Sequence, residues 1–219
     1  FSREKIQQSE LLIKNMLGEE GYAFPNVASI PIIDDKTQIV DVDYRLNIGK
    51  RSIVRRITIM GNTGTNDEVY RRELRQYESS LHKQSAIERS KIRLQRLKYV
   101  DDVEIIKNRV DGVDDMIDIT FKIKERKAGE FRISAGWSDT DGAIFDIDLK
   151  QDNFLGGGKN VAIKASRSSV QNTLRVFLTD PYFTTDGISK TTNILLSQTD
   201  VSNTSTATYL SDTLGFGEL

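Results

Sequence analysis

Gly129-Glu130-Phe131-Arg132-Ile133-Ser134-Ala135-Gly136-Trp137 and, past one turn, Phe145-Asp146-Ile147-Asp148-Leu149-Lys150 are the stretches on which the fold of this chain turns. Successive side chains of an extended strand point to opposite faces, so Phe131, Ile133, Ala135 and Trp137 share one side while Arg132 and Ser134 take the other. Phe145, Ile147 and Leu149 oppose Asp146, Asp148 and Lys150 in the same way, and Val161, Ile163 and Ala165 oppose Lys164 and Ser166. Between turn residues six such segments fit, at about 129–138, 142–152, 160–168, 172–180, 188–199 and 205–216. A membrane barrel and a water-soluble sandwich both produce this alternation. If the strands run up and down, the turns Asn153-Phe154-Leu155-Gly156-Gly157-Gly158 and Pro181-Tyr182-Phe183 fall at one rim. That clustering of Phe154, Tyr182 and Phe183, with Trp137 near the opposite rim, is the pattern of the aromatic girdles of a barrel. Strands of ~10 residues are also the length that crosses a bilayer at a tilt.

Upstream of Lys127 the material changes. Residues 1–126 hold 44 charged residues and 13 Ser or Thr, against 19 and 22 in residues 127–219, so two kinds of segment are joined near Arg126. The first kind reads as α+β. Ser2 is placed to cap a helix striped by Ile6, Ile13, Met16 and Leu17; Tyr22 to Ile33 reads as extended, and Gln38 to Ile48 alternates as a half-buried strand. A strand over Ser52 to Met60 precedes Thr65-Asn66-Asp67-Glu68, a capping box that predicts a helix to about Tyr77. Ser85-Ala86-Ile87-Glu88 is a second capping box, opening a helix with Ile87, Ser90, Leu94 and Leu97 on one face, followed by strands near Val103–Val110 and Met116–Lys124.

An internal repeat links these elements. Ile6, Ser9, Ile13 and Met16 recur 81 residues on as Ile87, Ser90, Leu94 and Leu97, and Val40 to Leu46 mirrors Ile117 to Ile123, 77 residues on. One complete strand-helix-helix-strand-strand module over about 51–126 is expected, preceded over 1–50 by the last three elements of another, with truncation at Phe1 as the reading of that difference.

Composition narrows the function. With 37% hydrophobic and 29% charged residues the chain folds, and 31 basic against 32 acidic residues leave no basic field for nucleic acid. Zero cysteines exclude disulfides and thiolate metal sites. His82, the single histidine, has no Ser or Cys partner in evidence and reads as a surface residue. The adjacent acids Asp34-Asp35, Asp101-Asp102 and Asp114-Asp115 read as turn chemistry ahead of strands, and Gly156-Gly157-Gly158-Lys159 lacks the spacing of a phosphate loop. No convergent titratable set argues for an enzyme, a metal or a cofactor.

Taken in order, Arg71-Arg72-Glu73-Leu74-Arg75-Gln76-Tyr77-Glu78, Arg93-Leu94-Gln95-Arg96-Leu97, Phe121-Lys122-Ile123-Lys124-Glu125-Arg126, Gln151-Asp152-Asn153-Phe154-Leu155-Gly156 and Asp180-Pro181-Tyr182-Phe183 resemble the BamA family of outer-membrane-protein insertases. The resemblance implies most of a fourth POTRA module over 1–50, a fifth over 51–126, and the first six strands of a 16-stranded transmembrane β-barrel over 127–219. It implies a bacterial outer-membrane location with the POTRA modules in the periplasm, and a role at the centre of the BAM complex that folds and inserts β-barrel proteins without covalent chemistry. The implied partners are the lipoprotein BamD and its companion lipoproteins, unfolded client proteins and lipid.

Under the same resemblance Gly129 to Trp137 is the first barrel strand, at a lateral gate that templates a client strand. Arg72, Arg75, Tyr77 and Glu78 fall where the family meets its lipoprotein, or else form a solvated helix face. Phe24, Val27 and Ile30, with Val103 and Ile105, mark strand edges open to client peptides, or edges that Pro25, Pro31 and nearby charges protect. A translocation-and-assembly relative such as TamA, a two-partner-secretion transporter of the same superfamily, and a soluble β-sandwich binding protein are the competing readings.

Overall fold

The computed structural model describes residues 2–34, 39–199 and 205–216. They form two compact units: Phe1–Gly61 with Tyr70–Lys124, and Asn62–Val69 with Glu125–Leu219.

The first unit begins with helix α1 (Arg3–Glu19), then strands β1 (Asn26–Asp34) and β2 (Ile39–Asn47), an antiparallel pair. Ser2 stands at the N-cap of α1, but its hydroxyl makes no capping bond, and Met16 is exposed while Ile6, Ile13 and Leu17 are half-buried. Next come β3 (Ile53–Met60), α3 (Gln84–Arg96), β4 (Val100–Val110) and β5 (Val113–Glu125), with the short helix α2 (Asp67–Arg71) between β3 and α3 where the chain passes from the second unit's Asn62–Val69 back into the first. The three strands make a sheet in the order β3-β5-β4, with β3 parallel to β5. The alternation read in β5 settles its faces: Ile117, Ile119, Phe121 and Ile123 are buried with Val54, Ile57, Tyr70, Ile87 and Leu94. Each such side chain contributes about 1.5–3 kcal/mol on leaving water. On the other face Asp118 takes the Arg55 guanidinium at 2.9 Å, which holds its carboxyl below the usual range, and Lys122 and Lys124 pair with Glu104 and Asp101.

Four details depart from the sequence reading. The helix expected to reach Tyr77 ends at Arg71, because the Arg75 and Gln76 amides are taken by the buried hydroxyl of Ser90 on α3 rather than by carbonyls a turn earlier. Ser85 is not the cap of its own helix. The helix starts at Gln84, and the Ser85 amide and hydroxyl both donate to Glu19, a carboxylate supplied by α1. His82 is no surface residue: it is fully buried (0% exposed), donating from Nδ1 to the Gly18 carbonyl at 3.2 Å, with Lys107 Nζ 3.1 Å from Nε2. Asp101-Asp102 and Asp114-Asp115 lie inside β4 and β5 rather than in turns, with Asp114 paired to Lys50; Asp35 lies outside the described residues.

The second unit is a six-stranded antiparallel meander: β6 (Gly129–Ser138), β7 (Gly142–Phe154), β8 (Lys159–Arg167), β9 (Gln171–Asp180), β10 (Ile188–Thr199) and β11 (Ser205–Phe216), neighbours in that order. The register aligns apolar side chains across every strand: Phe131, Leu149, Ile163, Val176, Ile194 and Leu210 form one row, and Ile133, Ile147, Ala165, Leu174 and Leu196 the next. The opposite face carries Arg132, Asp148, Lys164 and Arg175 in one row, and Ser134, Asp146, Ser166 and Thr173 in another. There Asp146 accepts the hydroxyls of Ser166 at 2.6 Å and Ser134 at 3.4 Å. On the apolar rows Phe131 and Ile133 are each 64% exposed. No described helix is long and apolar enough to cross a membrane.

Candidate functional site: the free edge of the first meander strand

Strand β6 pairs with β7 along its whole length, from Gly129 opposite Gln151 to Ser138 opposite Gly142. It is the last strand on its side of the sheet. An edge strand presents a row of backbone N–H and C=O groups to the next chain that arrives. All nine residues from Gly129 to Trp137 are exposed, and Trp137 is 77% exposed. The site is therefore made of backbone, and its flanking side chains are lipophilic on one face and charged or hydroxylic on the other.

The turns β7–β8 and β9–β10 lie at the same end of this meander, and the β6–β7 turn next to Trp137 lies at the other. Phe154 and Phe183 are exposed and Tyr182 is half-buried at the shared end, where the Lys190 ammonium sits 5.2 Å from the Phe183 ring. The β7–β8 turn holds an unusual conformation, with Asn153, Leu155, Gly156 and Gly158 all at positive φ. It is fixed by the Asn153 side chain, which donates to Thr65 Oγ1 at 2.7 Å and accepts from the Gly158 amide at 2.8 Å. The Asn66 amide donates to the Gly156 carbonyl at 3.0 Å. A Cβ on Gly156 would lie 2.5 Å from the Gly64 carbonyl oxygen, so only glycine allows that approach. The glycine run is thus a close-packed turn leading into a strand.

The residues expected to dock a lipoprotein do not share a helix face. Arg75 turns its guanidinium back to the carbonyls of Arg72 and Leu74, and Tyr77 is exposed beyond the end of α2. Glu78 accepts the Ile57 amide at 2.7 Å and pairs with Arg71, so its carboxylate closes part of the outer edge of β3. The same edge is closed further along by Ser79 and Ser80, which exchange backbone bonds with Val54. Sequence reasoning missed this strap; only the Glu78 carboxylate two residues before Ser80 signals it.

The two remaining edges differ. On β1 the Ser29 amide is taken by Glu10 at 3.1 Å, and Pro31, two residues on and facing the same way, has no amide to offer. Val27 is buried, Ile30 exposed, and Phe24 lies beneath the Arg109 guanidinium at 4.8 Å, ahead of the strand. β1 is thus blunted, as protected edges are. Strand β4 is the outer strand of its sheet, with Val103 buried as an anchor and Ile105 half-buried.

Comparison with known proteins places this geometry. Residues 1–49 and 52–126 each match the POTRA family, described as surface antigen variable number repeat, and residues 153–218 match the Omp85 superfamily domain. An outer membrane protein assembly factor BamA from Neisseria meningitidis is 38% identical over 188 residues, 85% of this chain and 24% of its own length. The crystal structure of BamA from Haemophilus ducreyi lacking POTRA domains 1–3 superposes with a TM-score of 0.84 at 31% identity, over 98% of this chain and 41% of that one. The Haemophilus influenzae BamA POTRA3–5 structure matches 57% of this chain and 49% of its own, with a TM-score of 0.55 and 34% identity. The chain spans about a quarter of the length of the Neisseria relative.

Proposed function

The chain belongs to the POTRA family, with a following segment that matches the Omp85 superfamily domain, and from that premise we propose that it is the joint and gate region of an outer-membrane protein assembly factor. The observation that carries the reading is the six-strand antiparallel meander that opens on β6, with apolar rows on one face and charged and hydroxyl rows on the other. A client strand entering lipid must satisfy every backbone amide, since each unsatisfied group costs several kcal/mol there. Pairing on the β6 edge supplies those partners before the strand leaves water, with the backbone doing the recognition and the side chains setting the register. The reaction is an exchange of hydrogen bonds and solvent, without covalent chemistry.

In this reading the POTRA modules stand in the periplasm and receive clients and partners. The open edge of β4 takes extended client segments, the blunted edge of β1 does not, and exposed Tyr77 beside Glu78 meets a lipoprotein of the BamD kind. Phe154, Tyr182 and Phe183 lie at the periplasmic rim of the membrane and Trp137 at the outer one.

Single cysteines placed from Gly129 to Trp137 in the full-length protein, with a client carrying one cysteine in its last strand, test the central step. Disulfides that form in register during assembly, and shift by two when the client cysteine shifts by two, support templating. Equal or absent crosslinking at every position contradicts it.

A further inference from the structure

The end of α1 and the start of α3 meet in a joint that the assembly reading does not use. Gly18 offers its carbonyl to His82, Glu19 caps α3 through Ser85, Glu20 pairs with Arg51 at 3.3 Å, and the Gly21 carbonyl accepts the Ser52 amide at 2.8 Å. Four consecutive residues of the first module are thereby bonded to the second. A Cβ at Gly18 would lie 2.8 Å from Gln84 Cβ, and Gly21 sits at φ +100°, a conformation that favours glycine.

The histidine is the buried piece of this joint. Its two ring nitrogens have different duties, Nδ1 donating to Gly18 and Nε2 accepting from Lys107, whose ammonium also donates to Gln84 Oε1 at 2.6 Å. Only the neutral ring with its proton on Nδ1 serves both. The charged groups that face it are Lys107 from β4 and Glu19 from α1, with Glu88 of α3 acting on Lys107. Burial first, and Lys107 second, push its pKa down from 6.5 to about 4, so the ring is neutral at ordinary pH.

We propose that Glu19 and His82 are positioning residues that hold the two POTRA modules as one body, so that a displacement of one module is passed to the next. Glu19 does this by supplying the charge that the exposed amides at the start of α3 call for. His82 does it by bridging a carbonyl of one module to a cation of the other.

The test uses the full-length assembly factor with spin labels on Gln8→Cys and Arg96→Cys, exposed sites on the two helices, and a control pair on Arg96→Cys and Asn108→Cys within the second module. The parent is expected to give one narrow distance for the first pair. Glu19→Ala, which alters only an exposed carboxylate, and His82→Phe, which keeps a buried ring without its nitrogens, are expected to widen that distribution at least twofold while the control pair stays narrow. An unchanged inter-module distance in both variants overturns the proposal. So does equal widening of the control pair, which would mean the second module itself has loosened. The readout is a distance, so its failure is separate from any failure of client assembly.

Discussion

His82 sets a pH signature on the first unit. Its folded pKa of about 4 lies below the ordinary 6.5, so the folded chain binds fewer protons than the unfolded one between those values. The stability contributed by the neutral ring is complete above pH ~6.5, declines as pH falls toward 4, and is gone below it. Denaturant unfolding across that window is expected to show a slope that His82→Phe reduces; identical slopes would contradict the assignment. Gly156→Ala forces a Cβ against the Gly64 carbonyl and a side chain into positive φ, at a cost of about 1–3 kcal/mol. A lowered melting temperature of the second unit checks this, whereas Gly136→Ala, with open space around it, should change little. At Glu78 two roles separate: Glu78→Gln keeps an acceptor for the Ile57 amide, and Glu78→Lys removes it. Both variants are expected to weaken co-purification of the lipoprotein partner, but only the lysine variant should also lower stability. Unchanged co-purification in both removes Glu78 from the docking surface.

Among the elements, what could be read from the sequence followed the strength of its periodicity. The alternation of Ile117 to Ile123 and of Phe131 to Trp137 placed β5 and β6, because a two-residue period with one apolar face admits little else. The helix expected to reach Tyr77 failed because its amides are bought out by a serine fifteen residues away, which no local pattern reveals. Ser85 failed as a cap for the same reason, its partner Glu19 lying 66 residues upstream. The burial of His82 was equally invisible, since its neighbours Gly18 and Lys107 come from other elements. Periodicity alone made β6 legible as a strand, whereas its place as the first barrel strand at a gate came from the family resemblance, because edge position depends on the order of the whole sheet. Half of the amides of an edge strand point away from its one partner. Proline scanned through Arg132 to Gly136 in the full-length protein is therefore expected to impair client assembly at alternate positions, where it deletes an outward donor, and to damage the β6–β7 ladder at the others. Assembly that proceeds normally at all five positions would count against backbone templating.

For the molecule as a whole, the two units solve opposite solvent problems with the same alternation. In the first, the apolar side of β5 is buried, and the charged side meets water through ion pairs. In the second, the apolar rows stay exposed while Asp146 on the opposite face accepts from Ser134 and Ser166, an arrangement stable only if the apolar side meets lipid. The most direct measurement is fluorescence quenching by brominated lipids of single probes placed along β7 in the full-length protein reconstituted in bilayers. Probes at Ile147 and Leu149 should be quenched strongly and probes at Asp146 and Asp148 weakly, a two-residue oscillation; equal quenching on both faces, or none on either, would contradict a lipid-facing sheet.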